Sequence, residues 1–173
     1  HWGFLEKDGP PFNNEREIFS AKGACMLIRK NVIDKVGLFD NDFVSYFEET
    51  DFCWRVWLLG YKVIYYPKAV VYHLIGFTIR RLNVSEINFH YYKNRINSFI
   101  KNLEFKNIFL FLFPHICVSL AIVLIFIIRK HPANALMILK AISWNLLNLN
   151  KTLKKRKKVQ NLRKVRDDEI FET

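Results

Sequence analysis

The ten residues Tyr46-Phe47-Glu48-Glu49-Thr50-Asp51-Phe52-Cys53-Trp54-Arg55 place three carboxylates within four positions, among aromatic and apolar neighbours. Ionised acids in such surroundings are costly unless a cation, a helix N terminus or a metal ion compensates them. Glu48 and Glu49 in a first helical turn would complement the helix dipole, and Asp51 with Arg55 has the i,i+4 spacing of an ion pair. A carboxylate in that position can also take a proton from a hydroxyl, which is the work of a general base. His73 lies further along the chain. It reads either as a hydrogen-bonded imidazole at a strand end or as a ligand for a divalent cation. Gly23-Ala24-Cys25 offers small side chains that let a ligand approach backbone amides, or simply a packed turn.

The surrounding pattern indicates how these groups are carried. A helix is expected over residues 48–59, with Phe52, Val56 and Leu59 at helical spacing and Gly60 as its stop. A short helix is expected over residues 30–36, with Gly37 in a left-handed terminal position. Residues 24–29 read as a buried strand, and residues 61–66 and 69–73 as two more around a Pro67-Lys68 turn. Residues 85–103 form an amphipathic, basic helical pattern. Residues 1–14 read as a loop punctuated by Gly9-Pro10-Pro11 and Asn13-Asn14, with Trp2 either packed or stacked on a ligand ring.

Composition narrows the class. Of 173 residues, 51% are hydrophobic and 16% aromatic, which is ample for a core. The formal charge of +11 is uneven, because nine Lys/Arg and no acid fall between Lys151 and Arg166. Cys25, Cys53 and Cys117 are odd in number and lack CxxC spacing, which argues against a disulfide framework or a zinc site. The chain opens at His1 without a targeting pattern and reads as a piece of a longer protein.

Residues 108–128 run for 21 positions without a formal charge, long enough to cross a bilayer core of roughly 30 Å. Lys101 and Lys106 precede this run, and Arg129 and Lys130 follow it. Matching charges at both ends favour an in-plane or re-entrant arrangement over a single crossing. A hairpin completed by residues 133–149 is the other membrane arrangement, although Lys140, Trp144 and three asparagines make that segment a poor membrane core; a helix pair buried in protein is the alternative to both. The basic tail suits an anionic lipid surface or is a solvated face. It has no aromatics among its lysines and no nucleic-acid-binding motif, so no nucleic-acid partner is expected.

Five motifs in order resemble the C-terminal half of a family 2 glycosyltransferase, nearest to the rhamnosyltransferase-like members that build surface polysaccharides. They are Gly23-Ala24-Cys25-Met26-Leu27-Ile28-Arg29, Val36-Gly37-Leu38-Phe39-Asp40, the carboxylate segment, Gly60-Tyr61-Lys62-Val63, and Val70-Val71-Tyr72-His73-Leu74-Ile75-Gly76. The resemblance implies an α/β fold: the C-terminal part of a GT-A (Rossmann-like) domain over residues 1–104. A membrane-associated helical segment (105–150) and a basic tail (151–173) follow. It implies Glu49 as catalytic base, with Glu48 and Asp51 beside it, although the family more often shows Glu-Asp where this chain has Glu-Glu. Gly23, Ala24, Cys25, Trp54 and Arg55 would line the substrate, and His73 would help hold a divalent cation, Mn²⁺ or Mg²⁺. Phe47, Phe52 and Trp54 would exclude water.

The implied partners are a nucleotide-sugar donor, a saccharide or lipid-linked acceptor and the cytoplasmic membrane surface. The reaction would be an inverting transfer at the cytoplasmic face of the cell membrane. A nucleotide-binding half with an Asp-x-Asp metal motif belongs to the family and matches nothing in this sequence. Neither Asp40-Asn41-Asp42 nor Asp167-Asp168 has the apolar strand such a motif needs, so these residues alone are expected to be inactive. A noncatalytic membrane-surface protein that keeps part of the fold is the other reading.

Overall fold

Two glycines with positive φ, Gly37 (82°) and Gly60 (79°), close the first two helices. These helices, α1 (Lys30–Val36) and α2 (Glu48–Leu58), match the spacing-based expectation to within a residue. Gly37 departs in one respect: its ψ of 175° takes the chain out of α1 in an extended direction rather than a left-handed helical one. The computed structural model describes residues 6–7, 9–73 and 84–171. Trp2 and Leu74-Ile75-Gly76 lie outside them.

The expected α/β fold is realised only in part, because the described chain is mostly helical. Its one sheet pairs β1 (Arg16–Glu17) with β2 (Ile64–Tyr65), antiparallel, with Arg16 opposite Tyr65 and Glu17 opposite Ile64. The expected strand at residues 24–29 is irregular chain with Leu27 fully exposed. The expected strand at 61–66 is reduced to β2, and residues 69–73 are exposed and unpaired into any ladder. Apolar runs of this length become strands only where a partner edge is present, and none faces them among the described residues.

Helix α2 is buried on every side from Asp51 to Leu58. One flank (Phe52, Cys53, Val56) packs with Leu59 against Val32 and Val36 of α1. The other flank (Trp54, Trp57, Leu58) packs against Leu103, Val159 and Ile170 from distant parts of the chain. Trp54 meets Phe19, Phe99 and Phe171 at ring-centroid distances of 5.7, 6.1 and 5.8 Å. Removing such a ring from a core costs about 3–5 kcal/mol.

Three long helices follow: α3 (Val84–Asn102), α4 (Phe105–Ile128) and α5 (Pro132–Leu147). Tyr92, Val123, Ala135, Ile138 and Ala141 form the core among them. The basic run becomes α6 (Leu149–Leu162), followed by the short α7 (Asp167–Phe171). Helix α6 does not stand free in solvent, since it caps the C-terminal carbonyls of α3. Arg156 donates to Ile100 and Leu103 O at 2.7 and 2.6 Å, and Gln160 to Lys101 and Asn102 O at 3.1 and 3.0 Å. Cationic and amide donors suit a helix C terminus, where carbonyls lack intrahelical partners. Lys154, Lys157 and Lys158 face solvent.

Helix α4 is 24 residues long, and it alone among the described helices is long and apolar enough to cross a membrane. Only 11% of its most apolar window is buried by the described residues, which leaves most of its apolar surface uncovered by them. Phe109, Leu110, Phe113, Leu124 and Ile128 are exposed along it.

Candidate active site

The N terminus of α2 is reached through a strained bend. Tyr46 and Phe47 both hold positive φ, 65° and 72°, a conformation that costs a side-chain-bearing residue about 1–2 kcal/mol. Asn94 of α3 holds the bend in place, donating from Nδ2 to Ser45 O at 2.8 Å and Tyr46 O at 2.6 Å. Lys93 donates to Asp42 O at 2.5 Å just upstream. The chain then turns directly into α2, and Asp51 N closes the first helical bond to Phe47 O at 2.9 Å.

The three carboxylates separate sharply in environment. Asp51 is fully buried, and four donors surround it: Arg55 Nε at 3.0 Å, with Lys101 Nζ, Ser98 Oγ and Asn102 Nδ2 each at 2.9 Å. Burial pushes its acidity one way, but the charges of Lys101 and then Arg55 outweigh it and hold the carboxyl below its ordinary value. Arg55 is equally committed. Its two terminal nitrogens donate to Val36 O at 2.8 Å and Leu38 O at 2.9 Å, fastening the end of α1 to α2. The pair is therefore a structural joint, and the structure places Asp51, Arg55 and Trp54 on the buried sides of α2, away from open solvent.

Glu48 and Glu49, by contrast, are half-buried and line an open cleft of about 2250 Å³. Burial, joined by repulsion from Glu49, raises the Glu48 carboxyl above its ordinary value despite a hydrogen bond from its own amide. One Glu48 oxygen, Oε2, is buried without a partner among the described residues. Tyr46 is shifted upward too, by burial and by Glu48, so its phenol stays protonated.

Cys25 lines the cleft beside a turn closed by Cys25 N to Lys22 O at 3.1 Å. Gly23 lies against the carboxylate segment, where an added Cβ would meet Glu49 Cβ at 3.9 Å, an ordinary contact. Ala24 is exposed in the same turn. Phe47 and Phe52 line the cleft, and Cys53 also reaches it. Burial pushes the Cys53 thiol up, which keeps it un-ionised and unsuited to nucleophilic attack. His73 is exposed and lines the cleft, so its imidazole is accessible from it. No group of three His, Cys, Asp or Glu converges to hold a metal among the described residues. A cation here would take only part of its coordination from this chain's described residues.

Two features had no counterpart in the sequence reading. Tyr91 and Arg95 of α3 line the same cleft; in the sequence they fall within the basic, amphipathic pattern of residues 85–103, which assigns them no site role. The loop before α2 is also pinned by an ion network. Lys101 bonds Asp40 at 2.7 Å, Lys155 bonds Asp40 and, at 2.6 Å, Asp42, and Lys151 bonds Asp42.

Comparison with known proteins bears on what this cleft does. The family model described as Glycosyl transferase family group 2 matches residues 7–139, a span that contains the cleft carboxylates, His73 and α3. The N-acetylglucosaminyl-diphospho-decaprenol L-rhamnosyltransferase of Mycobacterium tuberculosis, in strains CDC 1551 and H37Rv, is 33% identical over 60 residues. That match covers 35% of this chain, which spans about 20% of the length of those relatives. No solved structure matches significantly. On the family match, which takes in well over half of its length, the chain belongs to glycosyl transferase family group 2.

Proposed function

We propose that this chain supplies the acceptor-side part of an inverting glycosyltransferase that moves a sugar from a nucleotide-sugar donor to a saccharide acceptor, lipid-linked, at a membrane surface. The observation that carries the reading is the division of labour in α2. Asp51 and Arg55 are locked into the fold, while Glu48 and Glu49 one turn earlier face an open cleft. The family match supports glycosyl transfer in general.

In this reaction Glu49 accepts the proton of the acceptor hydroxyl as its oxygen attacks the anomeric carbon. The bond from that carbon to the phosphate oxygen breaks, and the nucleoside diphosphate leaves with the electron pair. Attack opposite the leaving group inverts the anomeric centre. Burial and the neighbouring Glu49 raise the Glu48 carboxyl above its ordinary value, and its Oε2, without a partner among the described residues, can accept a hydrogen bond from a sugar hydroxyl. Phe47 and Phe52 wall the cleft against water. A divalent cation, Mn²⁺ or Mg²⁺, would neutralise the departing diphosphate. His73 fits one position of its coordination, and imidazole favours Mn²⁺.

The exposed apolar face of α4, flanked by Lys106, Arg129 and Lys130, supports contact with the membrane at its cytoplasmic face. The relative's name carries a polyprenyl diphosphate, and a lipid-linked acceptor would be presented at that surface. The test is to incubate the full-length protein with a panel of labelled nucleotide sugars and bacterial lipid extract. Transfer of label into the organic phase from one donor supports the reading. No transfer from any donor, with the protein folded and membranes present, favours a noncatalytic membrane-surface role.

A further inference from the structure

Arg95 stands out among the cations of α3. Lys93 is spent on Asp42 O and Lys101 on Asp40 and Asp51, whereas Arg95 makes no ion pair among the described residues. Its Nε is buried and has no partner among them either. The guanidinium is nevertheless held in place. It lies 5.8 Å from the centre of the Tyr91 ring and 5.6 Å from that of Phe99, and its Nη1 donates to Tyr91 Oη at 2.8 Å. Because the Tyr91 oxygen accepts that bond, its own O–H is left to donate elsewhere. Both side chains line the cleft that holds Glu48 and Glu49.

We propose that Arg95, assisted by Tyr91, forms a subsite for the diphosphate group of a substrate. A planar guanidinium fork matches two phosphate oxygens at once, and a pre-oriented one loses little freedom on binding. The position suits that task. On one side Arg95 borders the carboxylate cleft; on the other, Phe99 meets His115 of α4 at 5.4 Å, edge to face. A diphosphate that joins a sugar in the cleft to a lipid lying along α4 would pass this point. A donor's diphosphate offers the same chemistry. The proposal rests on the glycosyltransferase reading for its choice of ligand but not for its test.

The test measures binding of inorganic pyrophosphate to the full-length protein by calorimetry, in the parent and in Arg95→Gln, Arg95→Lys and Tyr91→Phe. The expected result is a 10- to 100-fold loss of affinity in Arg95→Gln, with a smaller loss in Tyr91→Phe. Arg95→Lys keeps the charge but not the fork, and should lose about fivefold or more. If Arg95→Gln fails to fold, as judged by helical circular dichroism, Arg95→Lys and Tyr91→Phe carry the comparison. Unchanged affinity in the folded variants, or no pyrophosphate binding by the parent, overturns the proposal. Repeating the series with geranyl diphosphate and with uridine diphosphate identifies the source, since only the ligand that uses Arg95 loses affinity. A parent that binds pyrophosphate through Arg95 but transfers no sugar would sink the proposed function and leave this subsite standing.

Discussion

The ammonium of Lys155 sits between the carboxylates of Asp40 and Asp42, tying α6 to a loop 115 residues earlier in the chain. That loop runs directly into the strained Tyr46-Phe47 bend and the cleft carboxylates. The basic run near the C terminus thus helps to position the candidate active site. Burial works against charge on Lys155, yet the hydrogen bonds it donates to Asp40 and Asp42 hold its pKa above the ordinary lysine value.

Replacing Lys155 with Met should lower stability by about 1–3 kcal/mol, because two partly buried carboxylates lose a shared donor. The same change at exposed Lys158 should stay within about 0.5 kcal/mol. Urea unfolding of the two variants checks the contrast, and equal effects would mean that α6 contributes bulk charge rather than a specific latch.

Asp51→Asn should cost about 3–5 kcal/mol, since Lys101 and Arg55 would be left buried without their common counter-charge. Glu49→Gln, at the half-buried mouth of the helix, should leave the unfolding midpoint nearly unchanged. Similar losses in both would erase the distinction between joint and site.

Acid should act on the network before it acts on the cores. Asp40 and Asp51 are both held below their ordinary value of 3.8, so ionisation stabilises the fold above that pH and the gain disappears as pH falls below it. Glu48 has the opposite sign. Its raised pKa stabilises the fold below the ordinary glutamate value of 4.5, and that gain is lost as pH rises through the shifted value. Glu48→Gln should therefore raise the melting temperature at pH 7 and change it little at pH 4. A melting temperature equally affected at both pH values would contradict the burial of Glu48 as a charge.

Much of this arrangement was legible from local pattern, and the rest could not be. The acidic first turn, the apolar spacing and Gly60 define α2, and the Asp51–Arg55 pair shows in its i,i+4 spacing. Its other partners, Ser98, Lys101 and Asn102, lie some 50 residues away. Nothing local announces them. Trp54 and Arg55 lie beside the carboxylate cluster in sequence, while the structure buries both, Trp54 among aromatic rings and Arg55 against Asp51 and the end of α1. The strands were overread for the same reason: residues 24–29 have strand-like composition but no edge to pair with among the described residues.

Phe109 and Phe113 are exposed and stacked at 5.1 Å on the outer face of α4. Changing both to Ser should weaken partition into anionic vesicles about tenfold or more, given the apolar area each ring would otherwise bury. Added salt should matter less than this substitution. Binding that vanishes with salt and ignores the phenylalanines would assign the contact to the exposed lysines of α6 instead.

The most direct measurement is the single-turnover rate of sugar transfer by full-length Glu49→Gln and Glu49→Asp. If Glu49 is the base, the glutamine variant falls by about 10²–10⁴-fold. The aspartate variant, which restores the commoner family residue, keeps most of the rate, and both bind substrate as the parent does. A glutamine variant that transfers sugar at the parent rate would contradict the assignment and move the search for the base to Glu48.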